Sequence, residues 1–382
     1  MCSKCGSEVG PKKNCQNHVK IHVLKVQVFP VHLKLVGGSF RMASASTVRA
    51  AAIALRNRVV RTPLLQADLL NELVSHRLST PDLRVLVKAE CLQHTGAFKF
   101  RGATNRLLHL SEADRANGVV AFSSGNFAQA LALAAKNLGI KCTIVAPHDA
   151  PKLKLERTRQ YLADVLLSTP EEGVNREVAA AAMAEKFAAD TGATLLHPFD
   201  DWHVISGQGT VAVEAYEQAR EDHGVDRIDS MVVPTGGGGM LAGISLATED
   251  MSPSTRVYSV EPQGYCDHEQ SFLHPEKVRV ANTGTPGVTI CDALQASAPG
   301  KLTWQINSKH LSGATWMSDE AAVEAMKIAF QELKIITEPS GALGLAALLG
   351  GEIPVKKGDT VIVVACGGNV ALQDYIDLLN KK

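Results

Sequence analysis

Residues 231–247 read MVVPTGGGGMLAGISLA, and this stretch decides the fold. A short apolar run is followed by four consecutive glycines and then by a second apolar segment that is long enough for a helix. The pattern predicts a strand at 231–233, a helix at 240–248 and a second strand at 256–260. A strand, a helix and a strand of these lengths form a βαβ unit, so the two strands are expected to be parallel.

The same alternation occurs earlier in the chain. A strand is predicted at 119–122, a helix at 127–138 that Gly139 ends, and a strand at 142–146. Repeated βαβ units are typical of parallel sheets with helices on both faces, and we therefore predict an α/β fold. Further predicted elements are a helix at 48–58 and strands at 85–89 and 360–365.

Composition excludes several classes of protein. Lys plus Arg number 39 and Asp plus Glu number 39, so the formal net charge is zero, and nothing indicates a nucleic-acid or membrane partner. No apolar run approaches the roughly 18 residues that a membrane span needs. The eight cysteines follow no framework spacing, which is typical of a reduced intracellular protein.

Residues 1–45 differ from the rest of the chain, because no acidic residue occurs between Glu8 and Asp68. We interpret this segment as a disordered leader. Transit peptides are Arg-rich, whereas this segment is Lys-rich, so a cytoplasmic location is favoured over mitochondrial targeting. A zinc site is the alternative interpretation of the segment. Its ligands would be Cys2, Cys5, Cys15 and His18.

Polar or glycine-rich loops follow three of the predicted strands. Ligands in parallel α/β sheets bind beyond the carboxyl ends of the strands, so we expect these loops to meet in one crevice. The loops are Ser123-Ser124-Gly125-Asn126, Thr235-Gly236-Gly237-Gly238-Gly239 and Cys366-Gly367-Gly368-Asn369.

The four glycines of the second loop predict a phosphate site. Consecutive glycines let the backbone come close to an anion, and the following helix offers free N–H groups and its positive end. Two other interpretations stay open. The loop could be a tight turn alone, or it could be the dinucleotide fingerprint of an oxidoreductase, Gly237-x-Gly239-x-x-Ala242, with Glu261 at the end of the next strand.

Lys99 stands between Phe98 and Phe100 in an apolar run. Burial lowers the pKa of an amine and makes it a nucleophile suited to a Schiff base. Most lysines are solvated surface groups, however, so the residue by itself leaves both interpretations open.

Short motifs are spread from Ala45 to the C-terminus. In chain order they are Arg61-Thr-Pro, Gly96-Ala-Phe-Lys-Phe-Arg-Gly-Ala, Ser123-Ser-Gly-Asn, Ala146-Pro, His197-Pro-Phe-Asp-Asp, Gly207-Gln-Gly-Thr, the glycines 236–239, Val260-Glu-Pro, Glu338-Pro-Ser-Gly-Ala and Cys366-Gly-Gly-Asn. In this order they resemble the fold-type II pyridoxal-phosphate (PLP) family of serine/threonine dehydratases and serine racemases. The resemblance implies a tryptophan synthase β-like fold and PLP as the cofactor.

The resemblance also implies roles for individual residues. Lys99 would carry the cofactor through a Schiff base and take the Cα proton of the substrate. Phe98 would lie against the pyridine ring, Asn126 would bind the 3′-hydroxyl, and the thiol of Cys366 would face the pyridine nitrogen. The phosphate would be held by Gly236, Gly237, Gly238, Gly239 and Met240.

The loop after the strand at 119–122 would hold the substrate carboxylate. By the resemblance, its binding residues are Ser123, Ser124, Gly125, Asn126 and Phe127. Ser124 would also return a proton to the opposite face of Cα, which racemises the substrate. Alternatively, Ser124 only binds the carboxylate or caps the next helix. Phe127 replaces the histidine that is usual in the family, which predicts a more apolar substrate pocket.

Glu261, Tyr265 and Asp267 form a second candidate site. Two carboxylates with a backbone carbonyl between them suit a hard divalent cation. Metal-activated members of the family bind Mg²⁺ or Ca²⁺ at the matching positions, the middle residue contributing its carbonyl. An ordinary acidic loop is the alternative.

We therefore predict a PLP-dependent serine/threonine dehydratase with serine racemase activity at the same site. A primary serine racemase and a hydroxyaspartate dehydratase are alternatives within the family. A dinucleotide-dependent oxidoreductase and a non-catalytic amino-acid sensor are alternatives from other classes. The expected fold has a small α/β domain at 118–196 inserted into a large PLP-binding domain at 46–117 and 197–382, and the expected oligomer is a homodimer.

Overall fold

The computed structural model of the protein describes residues 42–150, 152–171, 176–281 and 288–380. Nearly all of the predicted leader at 1–45 lies outside these ranges. The four candidate zinc ligands in it, Cys2, Cys5, Cys15 and His18, lie outside them as well.

The strands of the described ranges form two separate sheets. In chain order they are β1 (Leu64–Leu65), β2 (Arg84–Lys88), β3 (Val119–Phe122), β4 (Cys142–Pro147), β5 (Asp164–Ser168), β6 (Thr194–Leu195), β7 (Ser230–Pro234), β8 (Arg256–Pro262), β9 (Leu311–Met317) and β10 (Thr360–Val364).

The helices cover both faces of the sheets. In chain order they are α1 (Ala45–Leu55), α2 (Asp68–Arg77), α3 (Lys99–Leu108), α4 (Glu112–Asn117), α5 (Asn126–Leu138), α6 (Lys152–Gln160), α7 (Arg176–Thr191), α8 (Trp202–His223), α9 (Gly239–Met251), α10 (Asp267–Leu273), α11 (Lys301–His310), α12 (Asp319–Leu333), α13 (Pro339–Leu349) and α14 (Leu372–Asn380). None of these described helices has the length and apolar character that crossing a bilayer requires.

The six-stranded sheet has the order β1-β2-β10-β7-β8-β9, and the four-stranded sheet has the order β5-β4-β3-β6. Every pairing in both sheets is parallel except that of β1 with β2. The predicted α/β fold with parallel sheets is therefore confirmed. The antiparallel edge strand β1 is an addition that the sequence pattern did not predict. All four strands of the smaller sheet lie within the 118–196 segment expected to form the small domain.

Strand β10 shows why the central strands are continuous apolar runs. Val361 and Val363 point into one hydrophobic core, and Ile362 and Val364 point into the core on the other face. Because successive side chains of a strand alternate between faces, a strand covered on both sides must be apolar at every position. The carboxyl end of β10 consequently emerges from a fully buried region, directly before Cys366.

Helices α8 and α9 approach each other through glycines. A Cβ atom on Gly243 of α9 would lie 2.3 Å from the carbonyl oxygen of Ile205 in α8. A Cβ atom on Gly209 of α8 would lie 2.5 Å from the carbonyl oxygen of Gly243. The close approach fixes the position of α9, whose first turn follows the glycine loop 236–239.

A buried charge network anchors α3. Arg101 is fully buried, and its guanidinium donates to both carboxylate oxygens of Glu90 at 2.8 Å and to both of Glu214 at 2.7 Å. The buried amine of Lys88 donates to Glu214 at 2.8 Å as well. Two cations and two anions thus satisfy one another inside the protein, two residues after Lys99.

We expect Arg101→Met to lower the free energy of unfolding by roughly 3–5 kcal/mol, because removing one partner leaves buried carboxylates uncompensated. Methionine keeps the apolar stem of the side chain, so the change isolates the charge. Urea denaturation measures the difference. The matched control is Arg77→Met, which breaks a partly exposed pair with Glu324 and should cost about 0–1 kcal/mol. Equal losses in the two variants would contradict the role of the buried network.

Candidate active site

Lys99 is the first residue of α3, and its amine is turned into the protein. The Nζ atom donates a hydrogen bond to the carbonyl of Pro198 at 3.0 Å. It lies 5.2 Å from the ring centroid of Phe98 and 6.0 Å from that of Phe199. Burial lowers the pKa of Lys99 to about 8. A substantial fraction of this amine is therefore neutral, and nucleophilic, near physiological pH.

The carbonyls of Gly237 and Gly238 in the glycine loop are occupied by hydrogen bonds from neighbouring segments, which leaves N–H groups available. The carbonyl of Gly237 accepts hydrogen bonds from the Thr303 hydroxyl at 2.7 Å and the Gly300 N–H at 3.1 Å. The carbonyl of Gly238 accepts the first backbone hydrogen bond of α9, from Ala242. The N–H groups of residues 239–241 consequently have no acceptor within the helix, and they lie at its positive end.

Three of the glycines cannot be replaced without collision, and for Gly239 the added Cβ atom would lie 2.9 Å from Cβ of Phe199. Gly238 has a φ of +87°, and a Cβ atom there would lie 2.6 Å from Nε2 of His268. A Cβ atom on Gly237 would lie 2.3 Å from the ring of Phe199. The loop is therefore more than a tight turn, since its neighbours also need the absence of side chains.

Phe199 connects the lysine with the glycine loop. One part of its ring faces Gly237, and the ring centroid is 6.0 Å from the Lys99 amine. The segment that carries Phe199 also supplies the Pro198 carbonyl that Lys99 binds. The structure therefore brings both Lys99 and the glycine loop close to one aromatic ring.

The loop after β3 begins α5. The Gly125 N–H donates to the Ser123 hydroxyl at 3.3 Å, Ser124 is half-buried, and a Cβ atom on Gly125 would meet no described atom within 4 Å. The first backbone bond of α5 runs from Gln129 to Gly125, which leaves the N–H groups of residues 126–128 without a helical acceptor. These N–H groups and the serine hydroxyls can bind an anion.

The Phe127 ring is only 2% exposed and packs in the hydrophobic core beneath the four-stranded sheet. The expectation that this ring makes the substrate pocket more apolar is therefore wrong for this structure. The side chain fills the core because Phe127 is the second residue of α5 and lies on the face that α5 buries. Only the main chain of Phe127 belongs to the loop.

Asn126 joins the two sheets. Its Nδ2 donates to the Glu338 carboxylate at 2.6 Å, and its Oδ1 accepts from the Asn369 amide at 2.9 Å. Glu338 directly precedes α13 and Asn369 follows β10, so both come from the side of the six-stranded sheet. Burial raises the pKa of Glu338 to about 7. A partly protonated carboxyl group thus stands directly beside Asn126.

Cys366 lies at the carboxyl end of β10, next to the Lys99 segment. Its carbonyl accepts the Phe98 N–H at 3.1 Å, and Ala97 forms an antiparallel bridge with Gly367. The Cys366 thiol lies 3.6 Å from the Ser340 carbonyl, to which it donates. Burial raises the thiol pKa well above its usual value, so the group stays neutral.

The second candidate site is also assembled. Glu261 ends β8 and Asp267 begins α10, and ligand-type atoms of these two residues and His268 lie within 4.8 Å of one another. All three side chains are buried, and burial raises the pKa of Glu261 to about 7. Tyr265 lies in the turn between them, where its N–H donates to the Pro262 carbonyl.

Several site residues were absent from the sequence-based prediction. Glu338, Asn369 and the segment 197–199 lay in recognised motifs, but no role followed from the motif alone. His268 adjoins Asp267 in the sequence, but the spacing of the two carboxylates did not predict that this histidine belongs to the site. Thr303 contributes through a side-chain contact with a glycine 66 residues away, which no local pattern reveals.

The lowered pKa of Lys99 can be measured directly. In unliganded protein, the rate at which an amine reagent acylates Lys99 should rise to half its maximum near pH 8, because burial favours the neutral amine. Lys186 is the internal control, since Asp190 raises its pKa and its reactivity should still climb above about pH 10. Peptide mass spectrometry at a series of pH values gives both curves. Coincident curves for the two lysines would show that Lys99 is an ordinary solvated amine.

Comparison with known proteins agrees with this geometry. A serine racemase from Arabidopsis thaliana is 37% identical over 339 residues, which cover 88% of this chain and 96% of the relative. An L-threo-3-hydroxyaspartate ammonia-lyase from Saccharomyces cerevisiae is 37% identical over 333 residues, covering 86% and 94%. The solved structure of a threonine deaminase from T.th. superposes with a TM-score of 0.75 at 36% identity, covering 86% of this chain and 99% of that one.

The family described as "Pyridoxal-phosphate dependent enzyme" matches residues 55–367. These residues include the Lys99 segment, the loop after β3, the glycine loop and Cys366. The predicted resemblance to serine/threonine dehydratases and serine racemases is confirmed, and the dinucleotide interpretation of the glycine loop is set aside. This chain belongs to the family of pyridoxal-phosphate-dependent enzymes.

Proposed function

We propose that the protein is a serine/threonine dehydratase, which converts a β-hydroxy amino acid to a 2-keto acid and ammonia, with serine racemase activity at the same site. The observation that carries the proposal is the Lys99 amine, partly neutral and placed beside a glycine loop that offers an anion its N–H groups. The three relatives described above carry these activities, or the closely related elimination from hydroxyaspartate, in their names.

The residues present fit PLP. The glycine cradle has no room for side chains at Gly237 and Gly238, and the N–H groups at the start of α9 face outward for a phosphate. We propose that Gly236, Gly237, Gly238, Gly239 and Met240 hold this group. Lys99 would be the attachment point for the aldehyde, Phe98 would flank the ring, and Asn126 would bind the 3′-hydroxyl.

When bound, PLP supplies the electron sink that makes the substrate Cα–H acidic. The chain supplies the base, because the Lys99 Nζ is free to take a proton at a pKa of about 8. The neutral thiol of Cys366 would offer the pyridine nitrogen a weak hydrogen-bond partner and no negative charge. With such a partner the ring nitrogen would stay largely unprotonated, and the electron sink would be weaker.

The start of α5 is the proposed site for the substrate carboxylate. The N–H groups of Asn126 and Phe127 lack helical acceptors, and the hydroxyls of Ser123 and Ser124 stand beside them, with the open face of Gly125 between. An anion at this helix N-terminus is stabilised by the N–H groups and the dipole together. Ser124 would then be near enough to Cα to transfer a proton on the face opposite Lys99.

We propose that 118–196 forms the small domain and that its movement closes the site. Support comes from the four-stranded sheet, whose strands all lie in this segment, and from the Asn126–Glu338 and Asn126–Asn369 hydrogen bonds, which cross from one sheet to the other. Closure would carry the carboxylate-binding loop onto the substrate and exclude water. The large domain would comprise 46–117 and 197–382.

We propose a Mg²⁺ or Ca²⁺ ion at Glu261 and Asp267, with the carbonyl of Tyr265 as a third ligand. Oxygen donors of this kind are preferred by both ions. Among the described residues, Oδ2 of Asp267 is buried and has only His268 Nδ1 near it, at 3.4 Å and without hydrogen-bond geometry, which suits a ligand atom. The ion would be structural or activating, since among the described residues the contacts of the Lys99 amine are with Phe98, Pro198 and Phe199 and not with these ligands.

A homodimer in the cytoplasm is also proposed. Leu92, Phe330 and Ile336 are each between 47% and 49% exposed, and a subunit contact would bury apolar surface of this kind. The five cysteines of the described ranges are all free thiols, as expected in a reducing compartment.

The division between the two activities depends on Ser124. The purified protein should release keto acid from L-serine or L-threonine and form D-serine from L-serine. Ser124→Ala should lower D-serine formation about 100-fold or more, because one positioned proton-transfer group contributes that much, while keto acid release continues. Chiral chromatography and a keto acid assay measure both products.

Two control variants accompany this test. Ser123→Ala, at the neighbouring hydroxyl, should weaken substrate binding without changing the ratio of the two products. Lys99→Ala should abolish both. An unchanged product ratio in Ser124→Ala would remove this serine from proton transfer, and keto acid release by Lys99→Ala would refute the proposed base.

A further inference from the structure

A single buried imidazole spans the distance between the carboxylate site and the glycine loop. Nδ1 of His268 lies 3.3 Å from Glu261 Oε1 and 3.4 Å from Asp267 Oδ2. On the opposite edge of the ring, Nε2 faces Gly238, where an added Cβ atom would lie only 2.6 Å away. The ring is fully buried, so its two edges link the two sites through protein alone.

The main chain of His268 belongs to the same connection. Its N–H donates to Glu261 Oε1 at 2.8 Å, and the next N–H, of Glu269, donates to Oε2 at 2.9 Å. Glu261 therefore holds the start of α10 with both oxygens. Any shift of this carboxylate toward a cation shifts the backbone that carries the imidazole.

Asn307 completes the connection on the side of the glycine loop. Its Nδ2 donates to the Gly238 carbonyl at 3.3 Å and lies 3.4 Å from Nε2 of His268. Asn307 is fully buried and belongs to α11, whose Trp304 also contacts the His268 ring edge-on at a centroid distance of 5.8 Å. The orientation of the Gly238 peptide, which sets the direction of the neighbouring N–H groups, therefore depends on this pair.

We propose that His268 and Asn307 are positioning residues that couple cation binding at Glu261 and Asp267 to phosphate binding at the glycine loop. The inference rests on the cofactor cradle and the cation site of the proposed function. Close-packed interiors transmit displacements of this kind, because no void absorbs them. The coupling is positive, since drawing the carboxylates together aligns the Gly238 peptide, and the cation adds positive potential near the phosphate.

Thermodynamic reciprocity gives a test that does not use activity. If Mg²⁺ tightens PLP binding by a certain factor, PLP must tighten Mg²⁺ binding by the same factor. With the full-length wild-type chain, we expect both factors to be about 5-fold or larger, the usual lower range of allosteric coupling. Calorimetry gives the Mg²⁺ affinity of the cofactor-free protein and of the PLP-bound protein. PLP titrations followed by absorbance, in the presence of Mg²⁺ or of a chelator, give the PLP affinity with and without the cation.

Asn307→Ala tests the connection through His268 and Asn307 while leaving the cation site and the glycine loop intact. It keeps every proposed cation ligand and all four glycines, so Mg²⁺ should bind the cofactor-free variant about as tightly as wild type while the coupling factor falls toward one. The matched control is Ser271→Ala in α10, the helix of His268, which removes one hydrogen bond to the Asp267 carbonyl and one from the Val280 N–H. That variant should keep the wild-type coupling factor.

Each outcome decides the matter. A wild-type coupling factor of one overturns the inference and needs no variant to fold. Full coupling in Asn307→Ala overturns the connection through His268 and Asn307, because the two sites would then communicate through space. Absence of Mg²⁺ binding overturns the cation site and the coupling together. In all three cases keto acid release by the wild type would still stand, so failure of this inference is distinct from failure of the proposed function.

Discussion

The hydrogen bond from the Lys99 amine to the Pro198 carbonyl is the interaction on which the site depends. The residues that follow this carbonyl in the chain, Phe199 and Asp200, make contacts that hold the segment in place. Phe199 packs against Gly237, and the carboxylate of Asp200 accepts the first three N–H groups of α11, whose Thr303 holds the Gly237 carbonyl. The amine and the anion cradle are therefore both placed by one short stretch of main chain.

Burial has different effects on the charge states of the ionisable groups around this stretch. For Lys99 it is not offset by a carboxylate contact within the described part of the chain, so the pKa falls and the amine becomes reactive. Arg101, two residues later, is paired with Glu90 and Glu214 and keeps its charge. A buried pair of this kind is a poor source of stability compared with apolar packing, but it specifies one arrangement of its partners. We interpret the network as the feature that fixes the position of α3 and therefore of Lys99 at its start.

The sequence predicted those parts of the molecule that depend on local pattern. The strand at 119–122 was predicted with the bounds that β3 has, because every residue in it is apolar and turns flank it. β1 and β6 are two residues long, and β5 mixes exposed and buried positions, so neither length nor periodicity revealed them. Lys99 and the glycine loop were found through motifs. The Pro198 contact was not, because a main-chain carbonyl 99 residues away leaves no mark on the sequence.

Covalent trapping tests the central claim most directly. The purified holoenzyme is reduced with borohydride, digested, and its peptides are sequenced by mass spectrometry. If Lys99 is the residue that carries the aldehyde cofactor, the added mass of the reduced group will be found on the peptide that contains Lys99 and on no other lysine. A modified peptide from elsewhere in the chain, or an unmodified Lys99 in yellow protein, would contradict the account.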